Sequence, residues 1–233
     1  MRQNSTHQTP DNSSSTSLRG FGIVGILFTL IVVLIGNVTL ANMIMLPMGA
    51  ILVLVWIKIT KTPWCEIGYV KPKSWIAVIV IGLILGITFK FLMKAIIMPL
   101  LGADPINQSY HFLAGNKALL PAAIWTMLAA GFGEETVFRG FLFTRLKRLL
   151  GRKNASKILI VIITSVLFAF GHHSQGIAGI EQAVITGLVF GSIYAVDRSI
   201  WMIMIAHAAF DLTALAMIYW NLETIVAHLI FKS

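Results

Sequence analysis

The sequence predicts an all-α fold, a polytopic transmembrane bundle of about seven to eight helices around an intramembrane polar cavity. Three observations predict it. Hydrophobic residues make up 57% of the 233 and charged residues 12%, with a mean hydropathy of +0.85; a soluble domain is nearer half apolar and a quarter charged. Apolar runs of roughly the 20 residues that cross a bilayer recur along the chain. Lysine and arginine collect between alternate runs, as the positive-inside rule requires. That length leaves room for seven or eight crossings and for no sizeable soluble domain. The net charge of +9 therefore reads as topology and contact with anionic lipid at the basic loops, not as a nucleic-acid surface. Cys65 is the only cysteine, so neither an intramolecular disulfide nor a cysteine-based metal site is available.

Residues 1–17 are polar, rich in Ser, Thr, Asn and Gln, and read as a disordered tail preceding a membrane domain over 18–233. The first apolar run, Phe21 to about Ile35, passes through Gly36 and Asn37 into the next with no small-residue cleavage site close behind it, so it is expected to span. The second run covers about Val38 to Ile57. A basic loop from Lys58 to Ser74 follows. The third run, Trp75 to about Leu101, carries Lys90 and Lys94 on one face, where they are expected to snorkel toward the far interface. The fourth starts near Leu119 and ends in a basic segment with Arg145, Lys147, Arg148, Arg152, Lys153 and Lys157. The fifth, Ile158 to Gly171, stops at His172 and His173. The sixth is about Ile180 to Val196, and the seventh about Ile200 to Trp220. Asn221 to Ser233 is apolar but too short to cross; it forms an interfacial helix or prolongs the last element. With the N-terminus in the cytoplasm, the loops Lys58–Ser74, Arg145–Lys157 and Asp197–Ser199 all fall inside, and the opposite loops hold almost no Lys or Arg. No internal repeat or pair of broken helices suggests a symmetric transporter.

Ionisable residues within such runs are costly, roughly 2.5–3.5 kcal/mol each on the insertion scale, and by default mark function. Three sets occur. Glu134, Glu135 and Arg139 lie in the fourth run. Glu135 and Arg139 are four apart and face each other as an ion pair, while Glu134 lies about 100° round the helix without that partner, available as a general base or acid. A buried pair that only fixes helix packing is the alternative. Phe168 and His172, with His173 after it, close the fifth run; a histidine at a helix end is often only a cap. His207 and Asp211 are four apart in the seventh run. There Asp211 is expected to accept a hydrogen bond from one imidazole nitrogen and leave the other free. Together the sets point to one shared site. Depth along the helices, at about 1.5 Å per residue, puts Glu134 and His207 in the cytoplasmic half and His172 several ångströms deeper.

The order Glu-Glu-x-x-x-Arg, Phe-x-x-x-His, His-x-x-x-Asp on successive apolar runs resembles the CPBP family. These are the CAAX-protease and bacteriocin-processing intramembrane endopeptidases, also called the Abi family, akin to the Rce1-like prenyl-protein proteases. Glu134, Glu135 and Arg139 match the first motif, Phe168 and His172 the second, and His207 and Asp211 the third; His173 is out of register. The segment from Glu66 to Pro72 is similar to the family's usual lead-in, and the likeness covers roughly residues 60–220.

The resemblance implies a peptide hydrolase in which Glu134 and His172 activate water, His207 and Asp211 stabilise the oxyanion, and Glu135 and Arg139 support them. The best-understood members have Asn where this chain has Asp211, although the family tolerates Asp; an anionic side chain is a poor oxyanion donor, and orienting His207 is the other role open to it. No cofactor is expected, although Glu134, His172 and His207 would be the ligands if Zn²⁺ were bound. The resemblance further implies a membrane peptide or protein substrate, prenylated or leader-type; the short loops and tail point to a multi-pass protein of a bacterial plasma membrane, where a leader or membrane peptide is the expected substrate. A bacteriocin-immunity or membrane scaffold protein of the same fold is the non-proteolytic alternative, and a small proton relay or transporter the third.

Overall fold

The computed structural model describes residues 18–38 and 48–231. The expected polar tail and the turn near Ala41 lie outside the described residues. Within them helices alternate with short connections and no strand occurs.

Helix α1 is Ile23–Val38 and α2 is Met48–Thr60. Helix α3, Trp75–Leu92, starts at Ser74, whose Oγ accepts the Ala77 N–H at 3.2 Å. It runs on through a π-helical turn, Met93–Ile97, to Leu100. Helix α4, Leu120–Glu135, has proline in its first turn, where the missing N–H costs nothing. It continues without a break through a π-helical stretch, Thr136–Leu142, into α5, Phe143–Leu150. Helix α6 is Asn154–Phe170, α7 Gly176–Asp197, α8 Trp201–Tyr219 and α9 Glu223–Ala227. Three helices are long and apolar enough to cross a membrane, Trp75–Leu100, His173–Asp197 and Trp201–Tyr219; α1, α2 and α6 are apolar but shorter.

Helix α8 is the centre of the bundle and packs against both α3 and α4. In lipid no hydrophobic force pulls helices together, so close backbone approach between small residues does that work. Gly86 on α3 lies against the Ala206 carbonyl and Ala209 of α8. Gly131 on α4 lies against Ala208, whose backbone nitrogen would sit 2.5 Å from any added Cβ. A Gly131→Ala variant therefore forces α4 and α8 apart. It is expected to lose about 1–3 kcal/mol of stability and, because Glu134 is one turn away and His207 is next to Ala208, most of its activity. Thermal unfolding in detergent together with a turnover assay checks this, and a variant unchanged in both would show that the approach is not needed.

The second packing layer surrounds the π-helical stretch. All seven of its residues are buried, which a helix achieves only when neighbours enclose it. Phe141 packs edge-on against Trp56 of α2 with ring centroids 5.0 Å apart and against Phe28 of α1 at 6.0 Å, and Phe138 meets Phe168 of α6 at 5.3 Å.

The loop before α3 is not a simple surface connection. Ile67 is fully buried, and Gly68, at φ +88°, abuts the Tyr194 ring. Its carbonyl accepts the Ile200 N–H at 2.9 Å, and the Glu66 carbonyl accepts the Thr144 hydroxyl at 2.7 Å. This loop caps the basic end and sinks the start of α8 into the protein.

Two expectations about basic residues are corrected. Arg145 is not a loop charge. It is 1% exposed, and its guanidinium donates to the carbonyls of Arg19 (2.7 Å), Gly20 (2.7 Å) and Gly25 (3.1 Å), binding the start of α1 to α5. Five donors in a rigid fork suit a cluster of backbone carbonyls. Lys90 does not snorkel to an interface. It is buried, donates to Gln182 Oε1 at 2.9 Å and lies 4.6 Å over the Phe210 ring. Lys94 pairs with Glu223 at 3.5 Å and bonds the Pro105 carbonyl, so the segment after α8 is fastened to the loop that follows α3.

Candidate active site

Glu134 and Glu135 are the last two residues of α4, immediately before the π-helical stretch that carries Arg139. Single π-helical turns within α-helices are frequent at functional sites. Glu135 is fully buried. It receives Arg139 Nη1 at 3.0 Å, as the four-residue spacing predicts, and His207 Nδ1–H donates to the same oxygen, Oε1, at 2.7 Å. The guanidinium stands 4.7 Å over the Phe168 ring, and its Nη2 donates to the Gly187 carbonyl at 3.4 Å.

The carboxylate that orients His207 is thus Glu135, not Asp211, which corrects the expected pairing. The other imidazole nitrogen, Nε2, has Glu134 Oε2 at 3.7 Å and Asp211 Oδ2 at 3.5 Å. A proton on Nε2 has an acceptor on either side.

Glu134 is 6% exposed, and neither carboxylate oxygen has a hydrogen-bond partner among the described residues. A buried anion lacking protein donors is costly, and water or a substrate group is what can satisfy it. His172 follows the last turn of α6. Its Nδ1–H donates to the Phe168 carbonyl at 3.0 Å, since a carbonyl can only accept. That bond fixes the neutral tautomer and leaves Nε2 with its lone pair. Phe168 stacks on His172 with centroids 4.6 Å apart and meets His207 edge-on at 5.9 Å. This one aromatic side chain therefore touches a member of each set.

Glu134, His172 and Asp211 line one cavity of about 390 Å³. The cavity shares Lys90 and Gln182 with an adjoining space of about 250 Å³. His207 is not in the wall; it stands behind Glu134 and Asp211. His173 points away, exposed, with Nδ1 on the Phe170 carbonyl at 3.0 Å.

The depth mismatch between Glu134 and His172 also resolves. Because α4, the π-helical stretch and α5 are continuous, Glu134 lies about 24 Å from Leu150 along the helix, and His172 about 27 Å from Asn154. The two helices meet at the hairpin around Gly151, so both groups reach nearly the same height.

Two wall residues were not expected at the site from sequence. Tyr110, on the loop after α3, accepts from Gln175 Nε2 at 3.1 Å, and burial, reinforced by the charges of Asp211 and Glu134, pushes its phenol up to about 12, so it stays a neutral donor. Lys90 was visible as a charge in an apolar run, but its direction was not. Among the described residues there is no group of three or more His, Cys, Asp or Glu side chains that could hold a metal ion.

The arrangement offers a buried carboxylate and an imidazole lone pair on a polar cavity, backed by a second imidazole held by a carboxylate–guanidinium pair. Those are the parts that water activation requires. Residues 116–213 match the family model described as type II CAAX prenyl endopeptidase, Rce1-like. The match starts just before α4 and stops just after Asp211, so it spans all three residue sets and is narrower than the 60–220 likeness read from sequence. No curated protein and no solved structure matches the chain.

Proposed function

Residues 116–213 match the Rce1-like family model, and from that likeness we propose that this chain is an intramembrane endopeptidase that hydrolyses a peptide bond by water activated at Glu134 and His172. The observation that carries the proposal is the pair of Glu134 oxygens, buried and without a protein donor, in the same cavity wall as a histidine whose Nε2 is free.

Glu134 or His172 takes a proton from a water in the cavity as its oxygen attacks the scissile carbonyl carbon. The tetrahedral intermediate carries the negative charge on the former carbonyl oxygen. When the C–N bond breaks, the abstracted proton passes to the leaving amine, so atoms and charge balance. His207, held by Glu135, opposes the developing charge from behind the wall. Arg139 keeps Glu135 in place and acts through it. Asp211 shares the Nε2 edge of His207 and serves as a positioning residue, not a direct oxyanion donor.

On this reading Asp211→Asn retains activity, because an amide still bonds Nε2 and can also donate. Asp211→Ala lowers kcat by roughly ten- to a hundredfold, the loss usual for a group that orients a site residue from behind. Steady-state assays of the two variants decide between these roles; an Asn variant as inactive as the Ala variant would mean the carboxylate charge itself is required. The chemistry is proposed to be metal-free, so turnover is expected to persist in excess chelator. Abolition by chelator and recovery with Zn²⁺ would reverse that.

The substrate class proposed is a peptide or protein held at the membrane, prenylated or carrying a leader segment, with the N-terminus of the enzyme in the cytoplasm. Comparison of membrane peptides from cells with wild type and with Glu134→Gln tests the function. One or a few uncut substrates should accumulate with the variant. Identical peptide profiles from equally expressed proteins would favour a bacteriocin-immunity or scaffold role.

A further inference from the structure

Far from the catalytic cavity, at the basic end, Lys147, Arg148, Arg152 and Arg198 line a cavity of about 630 Å³ with Glu66 as its acid. Glu66 is already occupied. Arg19 donates to its Oε1 at 3.0 Å and Arg148 to its Oε2. Among the described residues Lys147, Arg152 and Arg198 have no ion-pair partner, and with Lys157 the three also border an adjoining space of about 220 Å³.

Exposed cations are commonly just solvated, but Arg198 is built in. Its guanidinium lies 4.6 Å over the Tyr194 ring and 5.2 Å over Phe143, and Nη2 donates to the Glu66 carbonyl at 3.1 Å. Nη1 is buried and finds no acceptor among the described residues. A side chain held in a left-handed turn (φ +60°) between two rings, with an unfilled donor beside two further cations, is organised for an anion. The rim supplies the second clue. Val196 borders the adjoining space, and Leu149 and Ile158 are the chain neighbours of the lining residues Arg148 and Lys157; the three are 87%, 61% and 63% exposed. Apolar side chains beside a cationic cleft at the end of spanning helices match a ligand with an anionic head and hydrocarbon chains.

We propose that this cavity holds the phosphate headgroup of an anionic phospholipid, with its oxygens accepting from Lys147, Arg152 and Arg198 and its acyl chains lying along Leu149, Ile158 and Val196. The site joins the α5–α6 turn to the α7–α8 turn. It therefore braces α6, whose far end leads into His172, and the start of α8, about two turns before His207.

Native mass spectrometry of the full chain released from micelles containing phosphatidylglycerol tests the proposal. Lys147→Gln/Arg152→Gln removes two cavity cations, and Lys71→Gln/Lys73→Gln removes the same charge from exposed positions elsewhere on the basic end. Wild type and the Lys71/Lys73 variant should retain one bound lipid and gain thermal stability from it. The Lys147/Arg152 variant should bind about thirtyfold more weakly, as expected for the loss of two interfacial cations. Phosphatidylcholine should give no retained lipid. Equal loss in both double variants would reduce the effect to diffuse charge and overturn the site. Protection of wild type by inorganic phosphate with none from phosphatidylglycerol would overturn the lipid as its source.

Discussion

Glu134→Gln is expected to lower kcat by about 10³-fold or more while the protein folds and inserts normally. The substitution keeps the volume and removes only the basic oxygen. Neither oxygen is hydrogen-bonded to the described protein, and an amide oxygen can still face His207 Nε2, which stands 3.7 Å from Oε2, so little structural contact is lost. General base catalysis contributes roughly 10²–10⁴-fold, and His172 alone cannot replace a carboxylate if both share the proton. A purified variant with wild-type thermal stability and unaltered KM for a cleavable peptide would show the loss to be chemical. If Glu134→Gln still turned over at more than about a tenth of the wild-type rate, the base would have to be sought elsewhere on the cavity wall, and Asp211 would be the next candidate.

Glu135→Ala is expected to act by a different route, through stability first. Glu135 is fully buried and is the shared acceptor of Arg139 and His207. Removing it strands a guanidinium that is 1% exposed. Breaking a buried pair from one side typically costs about 3–5 kcal/mol, because the remaining charge is left uncompensated. His207 also loses the bond that aims it. The variant should unfold at a distinctly lower temperature in detergent and have no activity. The control is Glu135→Ala combined with Arg139→Met, which removes both charges and should regain a large part of the stability but none of the activity. A single variant as stable as wild type would contradict the geometry of the pair. Comparison with Glu134→Gln separates the adjacent acids, one dispensable for folding and the other indispensable.

Much of this geometry was legible in the sequence. Glu135 and Arg139 pair as their spacing requires, and Glu134, His172 and Asp211 do share a cavity wall. Helix period determines which residues of one element face together, and intramembrane charges stand out against an apolar background. What spacing within an element cannot determine is a partner from another element. Asp211 looked like the natural orienter of His207 because it is four residues away on the same helix. Glu135 takes that place because Gly131 lets α4 approach α8 closely enough for a carboxylate to reach Nδ1. Lys90 misled for the same reason: a lysine near a helix end snorkels unless a neighbour offers an acceptor, and Gln182 lies on α7, 92 positions away.

The sequence by itself determined that the chain is an all-helical membrane protein and which acidic and imidazole groups it commits to the apolar phase, because hydropathy and helical period are properties of local runs. Only the tertiary structure decided which of those groups touch, that His207 sits behind the cavity wall while Glu134 faces it, and that Arg145 anchors α1 instead of lining a loop. Those outcomes depend on how closely backbones pack and where connections fold back, and such distances are set between elements far apart in the chain.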